Sequence, residues 1–389
     1  MTEKKFKETE IGLIPEDWHL IPLGKLITFK RGHDLPIKER KKGKYPIIAS
    51  NGIVGYHNEF KAKGPGVIIG RSGNLGKPFY IEDDYWPLNT TLYSINFHDS
   101  DPKFVYYFLK TIPLNEFNSG SAVPSLNRNH IHTLEIIVPK KPTEQQKIAS
   151  ILSALDNKIK LNSQINKNLE EQIHLIFKNW FVDFQPFKNC KFKNSSFGEI
   201  PKEWKIYDFK DFLKIRVEKS NKQNIPKFSI TNNGIQNRDE KFKKNLSSPS
   251  SKFKLVYKND LIFGMSREIL NWGLMNDEIG GVSSAYNVFI IEKLNPRYLE
   301  SFIKHRIVYF KDIIKPASRE GQGIDKNILF DKQIYVPPNN IIEDYYRIED
   351  KFVNLINNNN KEIDNLASLR DILIHKLISG EVDVSNVEI

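Results

Sequence analysis

"PTEQQKIASILSALDNKI", residues 142–159, starts a helix near the middle of a 389-residue chain. Pro142 cannot continue a preceding helix, Thr143 is a capping residue type, and Gln146 stands at the capping-box position three residues on. Beyond it Ile148, Leu152, Leu155, Ile159, Asn162, Asn166, Leu169, Ile173, Ile176 and Trp180 follow alternating steps of four and three. That is the spacing of a coiled-coil seam, here with asparagine in its middle. At an offset of 200 residues the pattern returns in Ile348, Phe352, Leu355, Asn359, Glu362, Leu366, Leu369 and Leu373. Each helix is expected to run for about 35 residues, roughly 50 Å at 1.5 Å per residue. Packing of each helix on its own globular unit is the commoner fate of an amphipathic segment. The length and the narrow stripe with polar interruptions favour the other arrangement, two antiparallel helices packed on each other.

The helices close two copies of one unit. GLIPEDW (Gly12–Trp18) returns as GEIPKEW (Gly198–Trp204), and GVIIGRSG (Gly66–Gly73) as DLIFGMSR (Asp260–Arg267). TTLYSI (Thr90–Ile95) is echoed by SSAYNV (Ser283–Val288), and LNRNHIHTLEIIVP, ending at Pro139, by IDKNILFDKQIYVP, ending at Pro337. The matches keep their order at offsets of 186 to 198 residues, as a duplication with small loop insertions requires. Within each copy, short β-type runs bounded by Gly, Pro and Asn alternate with a little helix. The expected fold is therefore mixed α/β (α+β) and pseudo-twofold. Its expected divisions are a first unit (1–141), a spacer helix (142–185), a second unit (186–338), a second spacer helix (339–380) and a tail (381–389).

Composition bounds the function. With 39% hydrophobic and 12% aromatic residues the chain builds cores, and its net charge of +11 points to a polyanionic partner. One cysteine, Cys190, excludes an internal disulfide and a cysteine-zinc cluster, which fits a reducing cytoplasm. The N-terminus MTEKKFKETEIG lacks the apolar core of a secretory signal, and no apolar run reaches the ~18 residues of a membrane helix. The nine histidines are scattered and show no metal-ligand spacing. An NPPY-type methyltransferase motif, a Walker A loop and a nucleophile–histidine arrangement are missing from the sequence, so no catalytic residue is assigned.

The order LIPEDW, GRSGNLG, NTTLY, a strand ending in Val-Pro and then EQQKIASILSALDNKI resembles the specificity subunit of a type I restriction–modification enzyme. The resemblance covers essentially the whole chain, through the ending LRDILIHKLISGEV, and its most specific element is VPKKPTEQQKI leading into LDNKI. The second copy departs from it: VPPNNIIEDYYRIEDKF keeps the strand end but lacks the Glu-Gln pair and the LDNKI phrase. The resemblance implies a DNA-reading scaffold without chemistry of its own. Each unit would be a target recognition domain for half of a bipartite duplex site, and the helices would set the gap between halves. One turn of B-DNA is about 34 Å, so a helical spacer of this length would let two heads face one side of the duplex. Two modification subunits, carrying S-adenosylmethionine, would dock and methylate adenine; restriction subunits, using ATP and magnesium, would complete the assembly. The rival readings are the DNA-recognition part of a self-contained restriction/methyltransferase system and a coiled-coil adaptor that binds only protein.

Candidate DNA contacts follow from residue type. The glycine-spaced loop Gly70–Pro78 carries Arg71, Ser72, Asn74 and Lys77: arginine bonds guanine bidentately and asparagine reads adenine, although a plain hairpin turn has the same composition. Ser266 and Arg267 are their counterparts in the second copy. Asn89, Thr90 and Thr91, with Ser283 and Ser284, are short hydrogen-bonding groups suited equally to phosphate contact and to strand-end capping. Ser121, Ser125, Asn127, Arg128, Asn129 and His130 precede the last strand of the first copy, and Ser318, Arg319, Gln322 and Lys326 that of the second; a solvated loop is the alternative. The run IKERKKGK (Ile37–Lys44) would add salt-dependent phosphate affinity.

Overall fold

The computed structural model describes residues 6–9, 12–117, 125–219, 225–238, 253–266, 268–315 and 323–387. The chain folds as two compact units, one made of residues 1–166 and 357–389 and the other of residues 167–356. These units cut across the divisions expected from sequence, because each takes in half of each long helix.

In the first unit a hairpin of β1 (Phe6–Thr9) and β2 (Gly12–Pro15) leads into β3 (Trp18–Pro22). Helix α1 (Leu23–Leu26) and β4 (Thr28–Arg31) follow. A three-stranded sheet joins β5 (Tyr45–Ala49), β6 (Gly52–His57) and the short β9 (Trp86–Pro87). A four-stranded sheet of order β4-β10-β7-β8 contains β7 (Gly66–Gly70), β8 (Pro78–Ile81) and β10 (Thr91–Asn96). Helix α2 (Pro102–Thr111) is capped by Asp101, whose side chain accepts from Phe104 N. After α3 (Arg128–His132), β11 (Glu135–Pro139) returns to pair antiparallel with β3 and delivers the chain to the long helix α4 (Pro142–Phe181).

The second unit repeats this plan. A hairpin joins β12 (Phe192–Ser195) and β13 (Gly198–Pro201); β14 (Lys205–Asp208) later pairs with β23 (Gln333–Val336). Its four-stranded sheet has the order β15-β22-β19-β20, formed by β15 (Leu213–Ile215), β19 (Leu261–Phe263), β20 (Trp272–Leu274) and β22 (Asn287–Ile291). Two further pairs, β16 (Phe228–Thr231) with β17 (Gly234–Asn237) and β18 (Phe253–Tyr257) with β21 (Ile279–Ser283), complete it. Helix α5 (Pro296–His305), capped by Asn295, corresponds to α2; α6 (Lys326–Phe330), capped by Asp325, corresponds to α3. The second long helix is α7 (Asn339–Ile378). The duplication read from four phrases thus returns in the hairpin, the strand pair before the long helix and the four-stranded sheet, while two strand pairs replace the three-stranded sheet of the first unit.

One pair of phrases is misaligned. The register places Tyr93 opposite Ile68, and Val288 rather than Tyr286 opposite the equivalent Ile262. The turn before each strand agrees: Thr91 N donates to Leu88 O and Tyr286 N to Ser283 O. TTLYSI and SSAYNV are therefore out of step by two residues, and the counterpart of Asn89 is Ser284.

Both long helices have 40 residues, longer than expected. Helix α4 begins at Pro142, which puts proline in the first turn, where its missing N–H costs nothing. Thr143 is therefore inside the helix, Gln146 is exposed, and the working side chain is the neighbouring buried Gln145. The two helices also match at 197 residues rather than 200: Gln145, Ile148, Ala149, Phe177 and Phe181 are buried, as are Ile342, Tyr345, Tyr346, Ile374 and Ile378. Three residues turn a helix by about 300°, so only part of the expected stripe of α7 faces inward: Leu373 packs on the first core and Asn359 and Glu362 lie in the seam. Leu355 and Leu369 are 52% and 44% exposed, and Ile348, Phe352, Leu366 and Leu373 only partly buried. In α4, Ile148 and Leu152 are fully buried, with Leu155, Ile159, Leu169 and Ile173 partly so.

Within the first unit the helix segments run antiparallel. Arg370 pairs with Asp156 at 2.8 Å, Asn162 donates to Glu362 at 2.9 Å, and Asn166 donates to Asn360 and accepts from Asn359, both at 2.8 Å. The asparagines expected mid-seam are at the seam, where Asn166 and Asn359 bond to each other and Asn162 bonds to Glu362. The ends of the helices are absorbed into the cores. Ile148, Ala149 and Leu152 join Ile374, Leu377 and Ile378 around Trp18, Phe104 and Val138 in the first unit. In the second, Phe177 and Phe181 join Ile342, Tyr345 and Tyr346 around Trp204, Tyr298 and Tyr335. Both fates considered for such a helix, partner helix and own core, therefore occur along its length.

Candidate nucleic-acid interface

The first unit gathers its candidate segments at one end of its four-stranded sheet. Strand β7 ends at Gly70, where an added Cβ would lie 1.7 Å from Asn74 O. Glycine here lets the loop fold back, and Gly76 N closes it on Gly70 O at 2.9 Å. Gly76 itself has φ +70° and faces Leu114 too closely for a side chain. Backbone bonds tie this loop to the other two segments. Arg71 N and Ser72 N donate to Thr90 O, Ser72 bridges Ser125, and Leu126 N donates to Arg71 O at 2.9 Å. Three stretches up to 55 residues apart in sequence thus share one edge.

Side chains divide sharply there. Asn74 and Lys77 are exposed, and Arg71 is half-buried with Nη1 3.4 Å from Asn89 O. Arg128 and Asn129 project from the exposed first turn of α3, whose cap Asn127 accepts from Asn129 N. Thr91 is a correction. It is fully buried and its Oγ1 donates to Leu88 O at 2.7 Å, so it closes a turn and cannot reach a ligand. Thr90 has its hydroxyl buried as well. Ser121, Arg267, Ser318, Arg319 and Gln322 lie outside the described residues.

In the second unit the equivalent loop follows Gly264. Ser266 is another correction: fully buried, its Oγ accepts from Asn271 N at 2.9 Å and shapes the loop from inside. The exposed groups are Met265, Glu268 and Ile269, which with Ile230, Thr231 and Asn271 line a cleft of about 500 Å³. Ser284 is exposed in the turn before β22, while Ser283 Oγ accepts from Ala285 N. Lys326 is exposed at the start of α6, where Arg128 stands on α3. Among the described residues the first unit thus offers cationic and amide groups, and the second Met265, Glu268, Ile269 and Lys326.

Residue-type reasoning missed Asp34. Its carboxylate accepts from Asn89 Nδ2, and Asn89 N donates to the neighbouring His33 O at 2.9 Å. Burial, then Lys30 and Lys61, hold His33 below the usual histidine range. Its Nε2 meets Tyr93 OH at 3.2 Å. Nothing in the phrase HDLP signals this partnership. Also overlooked were Met265, Glu268 and Ile269, whose signal was available in the contrast between GRSGNLGK and its counterpart.

Residues 15–171 match the type I restriction modification DNA specificity domain. Along its whole length the chain is similar to specificity subunits of type I restriction–modification systems. It is 28% identical to the type I restriction enzyme MjaIX specificity subunit of Methanocaldococcus jannaschii, over 99% of this chain and 98% of that one. A shorter match, 36% identical, covers 22% of this chain and 20% of the HindI specificity subunit of Haemophilus influenzae. The crystal structure of the S subunit from M. genitalium shares the fold, with a TM-score of 0.56 at 15% identity over 92% of this chain and 96% of that one. Among the described residues no helix is long and apolar enough to cross a membrane.

Proposed function

We propose that this chain is the non-catalytic sequence reader of a type I restriction–modification complex and that its two units read the two halves of one bipartite duplex site. Base edges would be met from the loop edge of each sheet, by Arg71, Asn74, Lys77, Asn89, Arg128 and Asn129 in the first unit and by the Met265–Asn271 loop, Ser284 and Lys326 in the second. Modification subunits carrying S-adenosylmethionine would dock on the chain and methylate adenine. Restriction subunits would bring ATP and magnesium.

The observation that carries this reading is the convergence of three polar segments at one sheet edge, with equivalent positions in the second copy holding different chemistry. Two readers of unlike half-sites need the same scaffold and different side chains. The test is to sequence methylated adenines in cells that express the complex with the intact chain or with Arg71→Ala. The intact chain should give one bipartite motif, and the variant should relax it in a single half. A complex without preference for any duplex would refute the proposal; a variant that degrades both halves equally would refute the division of labour.

A further inference from the structure

We infer that Asp34 fixes the side-chain amide of Asn89 so that Asn89 reads an adenine in the half-site of the first unit; this rests on the DNA-reading function proposed above. A carboxylate accepts hydrogen bonds and donates none, so the Asn89 amide must turn its NH2 group towards Asp34, whichever way round an isolated amide would sit. The backbone beneath is held as well. Asn89 N donates to His33 O, Arg71 Nη1 reaches Asn89 O, and Arg71 N donates to Thr90 O at 2.8 Å. With one N–H committed to Asp34, Asn89 keeps one N–H and its Oδ1.

One donor beside one acceptor is the complement of adenine in the major groove, where N7 accepts and the N6 amino group donates. Guanine presents two acceptors, N7 and O6, and thymine presents O4 and a methyl group. An amide free to turn could offer its donors to either. Held by Asp34, it cannot present two donors at once, so Asp34 acts as a positioning residue that excludes wrong bases. Asp34 is exposed and Asn89 half-buried, at the same edge as Arg71, where a base edge can reach them. The second unit places Ser284 at the equivalent position, a hydroxyl that can donate or accept, so the device belongs to one half-site only.

The test measures binding of the full chain, assembled with its modification subunits, to duplexes in which each base of the preferred site is varied in turn. Asn89→Ala should lower the preference for adenine at one position of one half-site by about tenfold or more. Replacing that adenine by 7-deazaadenine, which removes the N7 acceptor, should weaken binding of the intact chain and leave Asn89→Ala unchanged. Asp34→Asn, nearly isosteric, should keep adenine binding within about threefold while guanine or thymine at that position gains, because its amide lets Asn89 turn either way. If the intact complex prefers no duplex, the functional reading itself fails. If it prefers one, yet Asn89→Ala keeps every preference and 7-deazaadenine is neutral throughout, this inference fails and the function stands. Uniform weakening by Asp34→Asn across all duplexes would mark Asp34 as a structural residue and overturn its role in selection.

Discussion

The two long helices enter their units through joints of opposite chemistry. In the first, Trp18 Nε1 donates to Glu144 at 2.9 Å, and Gln145 accepts from Asp101 N and donates to Pro139 O. In the second, Ile341 and Ile342 stand in place of that Glu-Gln pair, and Trp204 lies among the rings of Phe181, Phe184, Phe187 and Tyr335. Polar closure survives there in another form, with Tyr335 OH donating to Phe181 O at 2.6 Å and Tyr298 OH to Tyr335 O at 2.8 Å. The strand pairing and the tryptophan are common to both copies; the groups that lock the helix to them are not. Directional bonds make the first joint intolerant of change in polarity, whereas contact area makes the second intolerant of change in volume.

That contrast can be broken at several points. The largest effect is expected from Phe181→Ala, which empties a buried ring site and should cost about 3–5 kcal/mol in urea unfolding. A loss under about 1 kcal/mol would mean that the aromatic cluster does not hold the second joint. Next comes the exchange of joint residues. Gln145→Ile strands the Asp101 N–H and the Pro139 carbonyl, and Ile342→Gln buries an amide among rings; each should cost about 1–3 kcal/mol. If either exchange is neutral, the joints are interchangeable. In the seam, Arg370→Ala removes a half-buried pair with Asp156 and should cost at most about 1 kcal/mol, less in high salt.

The smallest effect concerns pH. His305 stacks on Phe177, its Nδ1 donates to Ser301 O, and its Nε2 is buried without a partner. Burial, as the main cause, lowers its pKa below the usual 6.5. The unfolded chain then takes up the proton more readily than the folded one, so stability is full above about pH 6.5 and falls as the pH drops below it. His305→Phe should flatten that part of the stability-versus-pH curve, measured as the thermal midpoint between pH 7 and pH 5.

Repetition was legible because GLIPEDW and GEIPKEW, or the two phrases ending in Val-Pro, occupy strands whose pairing leaves little room for drift. The asparagine seam was legible because polar residues interrupting an apolar stripe stand out. What escaped had local causes. TTLYSI and SSAYNV look alike by letter, but a turn bond just before each strand sets the frame. Leu355 and Leu369 were misplaced in the α7 stripe because steps of three and four allow neighbouring frames, and the burial of Ile342 and Tyr345 chooses between them. Thr91 and Ser266 were read as contacts because hydroxyl chemistry does not say whether the group faces water or the turn it closes. Asp34 was invisible because its partner lies 55 residues away.

The first unit is also unfinished until late in synthesis. Ile374, Leu377, Ile378 and Val384 belong to the core that surrounds Trp18 and Ile148, and Lys147 Nζ donates to Ser385 O at 2.6 Å. On the ribosome, residues 1–166 must wait for roughly two hundred more amino acids before their apolar floor is laid. A premature stop after residue 356 would remove that floor and damage the half that was translated first.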